Sequence, residues 1–219
     1  MRLLAITDLH DTPDALRRIL ADAGSCDLAL LGGDITNFGS PEDARRLVAL
    51  AQSGGAPVLA IAGNCDSAAI DARLEELGVS IAGRGVLIED VAVHGLSAMP
   101  PWRKGMYQFT EEELAAMLEA GYAQIGGAAR HVVLSHAPPR GGRTDRTQLF
   151  QHAGSTALRA FIERTQPALV LCGHIHEARG VEHLGPTTVV NCGPAAAGYY
   201  AIAEIGDDAE AVRVELRRA

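Results

Sequence analysis

A chain of 219 residues and 23.0 kDa can bury one large core, and a hydrophobic fraction of 47% with mean hydropathy +0.08 excludes intrinsic disorder. The formal net charge of −8, with Lys104 the one lysine among 19 basic residues, opposes general nucleic-acid binding but leaves room for arginines around a single phosphate. No apolar run approaches the ~18 residues that span a bilayer, and the first residues enter a strand without a basic leader, so one cytoplasmic domain over residues 1–219, with no membrane partner, is expected.

Leu3 to Thr7 reads as a first strand, and Thr12-Pro13 opens a helix whose apolar face is Leu16, Ile19, Leu20 and Ala23. Leu28 to Asp34 is an apolar run that ends in two glycines and a carboxylate, the pattern of a parallel strand buried on both faces. Ser40-Pro41-Glu42-Asp43 has the form of a capping box before Ala44, Leu47, Val48 and Ala51. Pro57 to Ala62 gives a third strand. Ser67 caps a short helix with Ile70, Leu74 and Leu77, which Gly78 ends. This βαβαβα order implies a parallel sheet with right-handed crossovers.

From Val79 to Ser97 the chain changes to short strands, Val86 to Ile88 and Val91 to Gly95, around a Gly83-Arg84-Gly85 turn, and a second sheet begins. Ala98 to Phe109 is irregular. Thr110 and Glu113 form another capping box before Leu114, Met117, Leu118 and Gly121. Val132 to Ser135 is a strand, and Pro138 to His152 reads as a surface loop. A helix on Leu158, Phe161 and Ile162 stops at Pro167, and Leu169 to Cys172 is another buried strand. The remainder alternates, as in Val212, Val214 and Leu216, with a Gly206-Asp207-Asp208 turn, and predicts antiparallel hairpins. The fold class is therefore α/β: a four-layer αββα sandwich, two mixed sheets face to face with helices outside.

Ligands in such sheets collect just beyond the strands' carboxyl ends. The polar residues there are Asp8, His10, Asp34, Asn64, His136, His174 and His176: two carboxylates, one amide and four imidazoles. Imidazole with a few oxygens suits Mn, Fe, Zn or Ni, with manganese favoured here, whereas Ca and Mg prefer oxygen alone. Seven ligands exceed one ion's needs, so two divalent ions sharing a bridging carboxylate are expected, with Asp34 the natural bridge. His94, His131, His152 and His183 carry no motif and read as structural or solvated. Cys26, Cys65, Cys172 and Cys192 lie far apart without a C-x-x-C pair and read as free thiols.

Through Asp8-Leu9-His10, Gly33-Asp34, Gly63-Asn64-Cys65-Asp66, Ser135-His136 and Gly173-His174-Ile175-His176, residues 3 to about 195 resemble the calcineurin-like metallophosphoesterase family, closest to its small bacterial and archaeal phosphoesterases related to cyclic-nucleotide phosphodiesterases. The resemblance implies the αββα fold, with Asp8, His10, Asp34 and His176 on one metal and Asp34, Asn64, His136 and His174 on the other. It implies a hydrolase that cleaves small phosphate esters, with phosphodiesters favoured, by in-line attack of a metal-bridging hydroxide. Asp34, Asn64, Cys65, Asp66 and His136 form the expected catalytic set. Many members carry a general-acid histidine where this chain has Cys65, and a thiol beside two cations leans towards thiolate. The D-R-G continuation of the family's protein phosphatases is absent, since Ile35-Thr36-Asn37 follows Gly33-Asp34. Arg140, Arg143, His152 and Trp102 are candidate substrate contacts. The alternatives are a phosphomonoesterase or nucleotide pyrophosphatase on the same site, or a non-catalytic metal-binding scaffold; a homo-oligomer is left open.

Overall fold

Leu3 and Ala5 turn to one side of the first strand and Leu4 and Ile6 to the other, and all four are buried, so this strand is covered on both faces. The computed structural model describes residues 1–125, 128, 130–206 and 212–219. Its strands are β1 (Arg2–Ile6), β2 (Leu28–Gly32), β3 (Val58–Ile61), β4 (Val86–Ile88), β5 (Val91–Leu96), β6 (Arg130–Ser135), β7 (Leu169–Cys172), β8 (Gly180–Leu184), β9 (Thr187–Asn191), β10 (Tyr199–Ile205) and β11 (Val212–Arg218). Its helices are α1 (Pro13–Ala23), α2 (Pro41–Gln52), α3 (Ala68–Glu76), α4 (Glu111–Gln124) and α5 (Thr156–Thr165). The strands form two mixed sheets, ordered β11-β10-β1-β2-β3 and β4-β5-β6-β7-β9-β8.

Three apolar layers follow from the period-2 alternation. Leu3, Ala5, Leu28, Leu30 and Ile61 meet Val91, Val93, Val132, Leu134, Leu169 and Leu171 between the sheets. Leu4, Ile6, Ala29, Leu31 and Ala60 pack outward onto Leu16, Ile19, Leu47, Val48, Ile70 and Leu74 of α1, α2 and α3. Val133, Val170 and Val189 pack outward onto Leu114 and Leu118 of α4 and Leu158, Phe161 and Ile162 of α5. This is the four-layer αββα sandwich. Among the described residues no helix is long and apolar enough to cross a membrane.

The caps follow the sequence closely. Ser40 and Asp43 exchange both bonds of a capping box, as do Thr110 and Glu113, and Ser67 accepts from the Ile70 N–H. Thr12 differs: its hydroxyl donates to the Leu9 carbonyl instead of capping α1. The hairpins β8–β9 and β10–β11 are antiparallel as expected, but β9 also runs parallel to β7 and β10 crosses to the first sheet beside β1. Continuous burial of Thr187–Asn191 explains the first departure, since a strand inside a sheet needs apolar cover on both faces. Asp207 and Asp208 of the expected turn lie outside the described residues.

His94 of β5 and His131 of β6 are structural. Their Nε2 atoms are 2.7 Å apart, one N–H donating to the other ring, and the rings stack at 4.8 Å beside Tyr122 and Phe161. Gly121 makes room for them, because a Cβ there would come within 2.8 Å of His94 Nδ1. Burial pushes the His94 pKa down to about 3 and that of His131 to about 4, so both stay neutral when folded. The unfolded chain takes up protons near its ordinary value of 6.5 and the folded chain does not, so stability falls as pH drops from about 6.5 towards 4. Each imidazole contributes up to ~1.4 kcal/mol per pH unit. His131→Gln should flatten this slope, as read from chemical denaturation across that pH range; an unchanged slope would assign the acid sensitivity to other groups.

Candidate metal centre

The strand ends are stitched together by their own backbone. The Asp8 N–H donates to the Gly33 carbonyl at 3.0 Å and the His10 N–H to the Asp34 carbonyl at 2.9 Å, so the loops after β1 and β2 advance side by side. Asp8, His10, Asp34 and His174 all have left-handed φ, at 56°, 46°, 47° and 66°. Asp and His are among the residues that tolerate this region, at about 1–3 kcal/mol each, and such strain gathers at functional sites. Close approach also requires glycine: a Cβ on Gly63 would sit 2.3 Å from Asp34 Oδ1, and one on Gly173 would sit 2.2 Å from Asp8 Oδ2.

Asp34 lies at the middle, almost fully buried. Its Oδ2 is 3.7 Å from His10 Nε2, and its Oδ1 is 3.4 Å from His136 Nε2 and accepts the Cys65 N–H at 2.7 Å. The two oxygens therefore face different imidazoles. On one side, His176 Nε2 reaches Asp8 Oδ1 at 3.3 Å and the His10 and His176 rings lie 5.4 Å apart. On the other, His136 Nε2 meets Asn64 Oδ1 at 2.9 Å, while its Nδ1–H donates to the Gly32 carbonyl at 3.0 Å and aims Nε2 inward. The His174 ring is 5.1 Å from that of His136, and its backbone N–H donates to both Asp8 oxygens.

Among the described residues, donor atoms within 4.8 Å of one another group as Asp8, His10 and His176; His10, Asp34 and Cys65; and Asp8, Asp34 and His136. Burial opposes charge on Asp8, but the His176 hydrogen bond and the His136 charge outweigh it and hold the carboxyl below its usual range. Burial likewise opposes charge on His136, and the carboxylates of Asp34 and Asp8 reverse the sign and raise its pKa. His174, buried and facing His136, is pushed down to about 3. Burial and then Asp34 push the Cys65 thiol well above its ordinary range, so the protein's own groups act against a thiolate.

The sequence profile of calcineurin-like phosphoesterases matches residues 1–178. The chain belongs to the calcineurin-like phosphoesterase family. A relative from Methanocaldococcus jannaschii is 32% identical over 206 residues, which cover 89% of this chain and 88% of the relative. A solved Thermus thermophilus structure superimposes with TM-score 0.76 at 17% identity over 98% of this chain and 97% of its own. Yellow lupin purple acid phosphatase superimposes with TM-score 0.62 at 12% identity, and this chain spans 51% of it. These two show a common fold. Family membership makes the chain a metallophosphoesterase, a hydrolase from a family that depends on two metal ions and acts on phosphate esters.

The remaining expected residues divide. Asp66 stands behind this phosphoesterase centre: its carboxylate accepts the Ile35, Thr36 and Gly63 N–H groups and the Thr36 hydroxyl, all within 3.1 Å. Trp102, Arg140 and His152 line one cleft with Pro101, Phe150 and Gln151. Arg143 is not among them. Glu182 pins its N–H at 2.7 Å, and its guanidinium turns to the Val181 carbonyl on β8. The stretch from Pro138 to His152 is an organised loop: Asp145, fully buried, gathers the Gly141, Gly142 and Gly154 N–H groups.

Sequence reasoning missed Asn191, which is fully buried at the end of β9. Its amide donates to the carbonyls of Ile175 at 2.9 Å, Thr144 at 3.0 Å and Gly173 at 3.2 Å, and its oxygen accepts the Gly193 N–H. It fastens the His174–His176 loop to the sheet. The signal was present, since Val189-Val190-Asn191 repeats the figure of an apolar run closed by a polar residue. Asn191→Ala strands buried carbonyls at ~1–3 kcal/mol each and frees the loop, so it should lower unfolding stability by about 2 kcal/mol or more and Mn²⁺ affinity by ~10–100-fold. Denaturant melts and calorimetric Mn²⁺ titration check both, and an unchanged affinity would refute the loop's dependence on Asn191.

Proposed function

We propose that the protein hydrolyses phosphodiesters at a dinuclear centre bridged by Asp34. The observation that supports this reading is the division of the two Asp34 oxygens between His10, at 3.7 Å, and His136, at 3.4 Å, with Asp8 close enough to group with both imidazoles. Asp8, His10 and His176 complete one set of ligands, and Asn64, His136 and His174 the other. The donor chemistry, four imidazoles with two carboxylates and one amide, fits transition-metal ions such as manganese, zinc, iron or nickel. When bound, two divalent ions supply the charge that holds phosphoryl oxygens and the acidity that makes hydroxide available near neutral pH.

The chain's own residues do the positioning. Gly32 fixes the His136 tautomer, Asp66 and Asn191 hold the loops, and the cleft of Trp102, Arg140, Phe150 and His152 receives the ester. Arg140 is the one arginine lining that cleft, and a diester carries one negative charge fewer than a monoester. The half-exposed Trp102 and the exposed Phe150 offer apolar faces to a second organic group, which a monoester lacks.

The decisive experiment is a metal-by-substrate screen of protein stripped by chelation. Mn²⁺ should restore hydrolysis of bis(p-nitrophenyl) phosphate, faster than that of p-nitrophenyl phosphate; turnover of neither under any metal would overturn the reading in favour of a scaffold. A bridging ligand serves both ions, so Asp34→Asn should lose both whereas Asn64→Ala keeps one. Elemental analysis of the two purified variants decides this, and equal single losses would remove Asp34 from the bridge.

A further inference from the structure

Ester cleavage leaves an alkoxide unless a proton arrives as the P–O bond breaks, and a positioned acid is typically worth ~10²–10⁴ in rate. Four of the eight imidazoles, His10, His136, His174 and His176, are committed as ligands in the reading above. His94 and His131 are locked against each other beneath α4. His183 lies on β8 opposite Thr188, three register pairs along β9 from Asn191 and the site. His152 remains, and its geometry differs from that of a solvated loop residue.

We propose that His152, oriented by Asp145, is the general acid that protonates the departing alcohol of a phosphodiester; this rests on the phosphoesterase reading. Asp145 is fully buried, and three backbone N–H groups at 3.0–3.2 Å fix its carboxylate. It accepts His152 Nδ1–H at 2.8 Å, which sets the ring's orientation and turns Nε2 away from the carboxylate. A buried carboxylate that steers an imidazole in this way is the arrangement that prepares histidine for proton transfer.

The loop that carries the pair is tied to the ligand-bearing segments on several sides. Arg140 follows His136 by four residues. The Asn191 amide that holds the Gly173 and Ile175 carbonyls also holds that of Thr144, next to Asp145. The Gln148 N–H donates at 2.8 Å to Glu177, the neighbour of His176. The opposite wall, with Trp102, belongs to a segment anchored by the Tyr107 N–H on the Asn64 carbonyl at 3.0 Å. His152 and Trp102 thus face a shared cleft of about 500 Å³, one wall following His136 in the chain and the other tied to the Asn64 backbone. The departing group this cleft accepts is an organic alcohol laid against Trp102 and Phe150, with Arg140 near the phosphate.

In the step, hydroxide oxygen bonds to phosphorus, the P–O bond to the alcohol breaks with its electron pair on the departing oxygen, and that oxygen takes the proton from His152 Nε2. The neutral imidazole then regains a proton from water.

The test is a leaving-group series of ethyl phosphodiesters bearing nitrophenyl, phenyl and ethyl groups, run on Mn²⁺-loaded wild type and His152→Gln, whose amide can still bond Asp145. Nitrophenolate needs little protonation and ethoxide much. The ratio of nitrophenyl to ethyl turnover should therefore rise by ~10² or more in the variant, while metal content and circular dichroism match wild type. Added imidazole should restore the ethyl ester of His152→Ala preferentially. An unchanged ratio in His152→Gln, whether both rates fall together or neither falls, would overturn the proposal. Wild-type protein inactive on every ester would instead defeat the underlying phosphoesterase reading.

Discussion

The strand-end loops depend on one buried carboxylate, that of Asp66. Asp66 binds the Ile35 and Thr36 backbone after β2 and the Gly63 backbone after β3, so two loops from parallel strands become one rigid piece with Asp34 and Asn64 at its edge. Burial, and then the charge of Asp34, raise the Asp66 pKa to about 6, and the hydrogen bonds from Gly63 and Thr36 pull the other way. Two carboxylates thus stand close together in a buried setting, a source of repulsion that cations at the site would relieve.

The left-handed residues express the same tension. The loops after β1, β2 and β7 each turn sharply at a proposed ligand, at Asp8 and His10, at Asp34, and at His174, where φ is left-handed. The Asp8 oxygens bond the His174 N–H across the two sheets, and the Gly173 N–H reaches the His136 carbonyl. Hydrogen bonds of this kind hold the proposed ligands close to one another through the backbone of their own loops.

Much of this architecture was legible in the sequence. Apolar runs that close on a polar residue exposed β1, β2, β3, β6 and β7 together with the polar residues at their ends, because a strand buried on both faces has nowhere else to place a charge. What stayed hidden depended on partners distant in sequence. The Pro138 to His152 stretch looks solvated for its glycines and arginines, yet Asp145 and Glu182 supply a polar interior that composition does not announce. The end of β9 was read as part of an alternating hairpin, which concealed Asn191. Arg143 resembles Arg140 in the sequence, and the contacts that turn it away, its N–H to Glu182 and its guanidinium to the Val181 carbonyl, come from a strand 39 and 38 residues further on.

The donors of each proposed ion come from both ends of the chain: Asp8 and His176, in contact, are 168 residues apart. Neither ion can find its full set until the second sheet has docked on the first. On the proposed assignment, metal capture would be a late event in the maturation of this chain, sensitive to completed long-range topology. A nascent polypeptide still lacking β7 offers carboxylates but no closing imidazoles. Mass action then favours the finished molecule, since ions that bind only the assembled state draw the folding equilibrium after them.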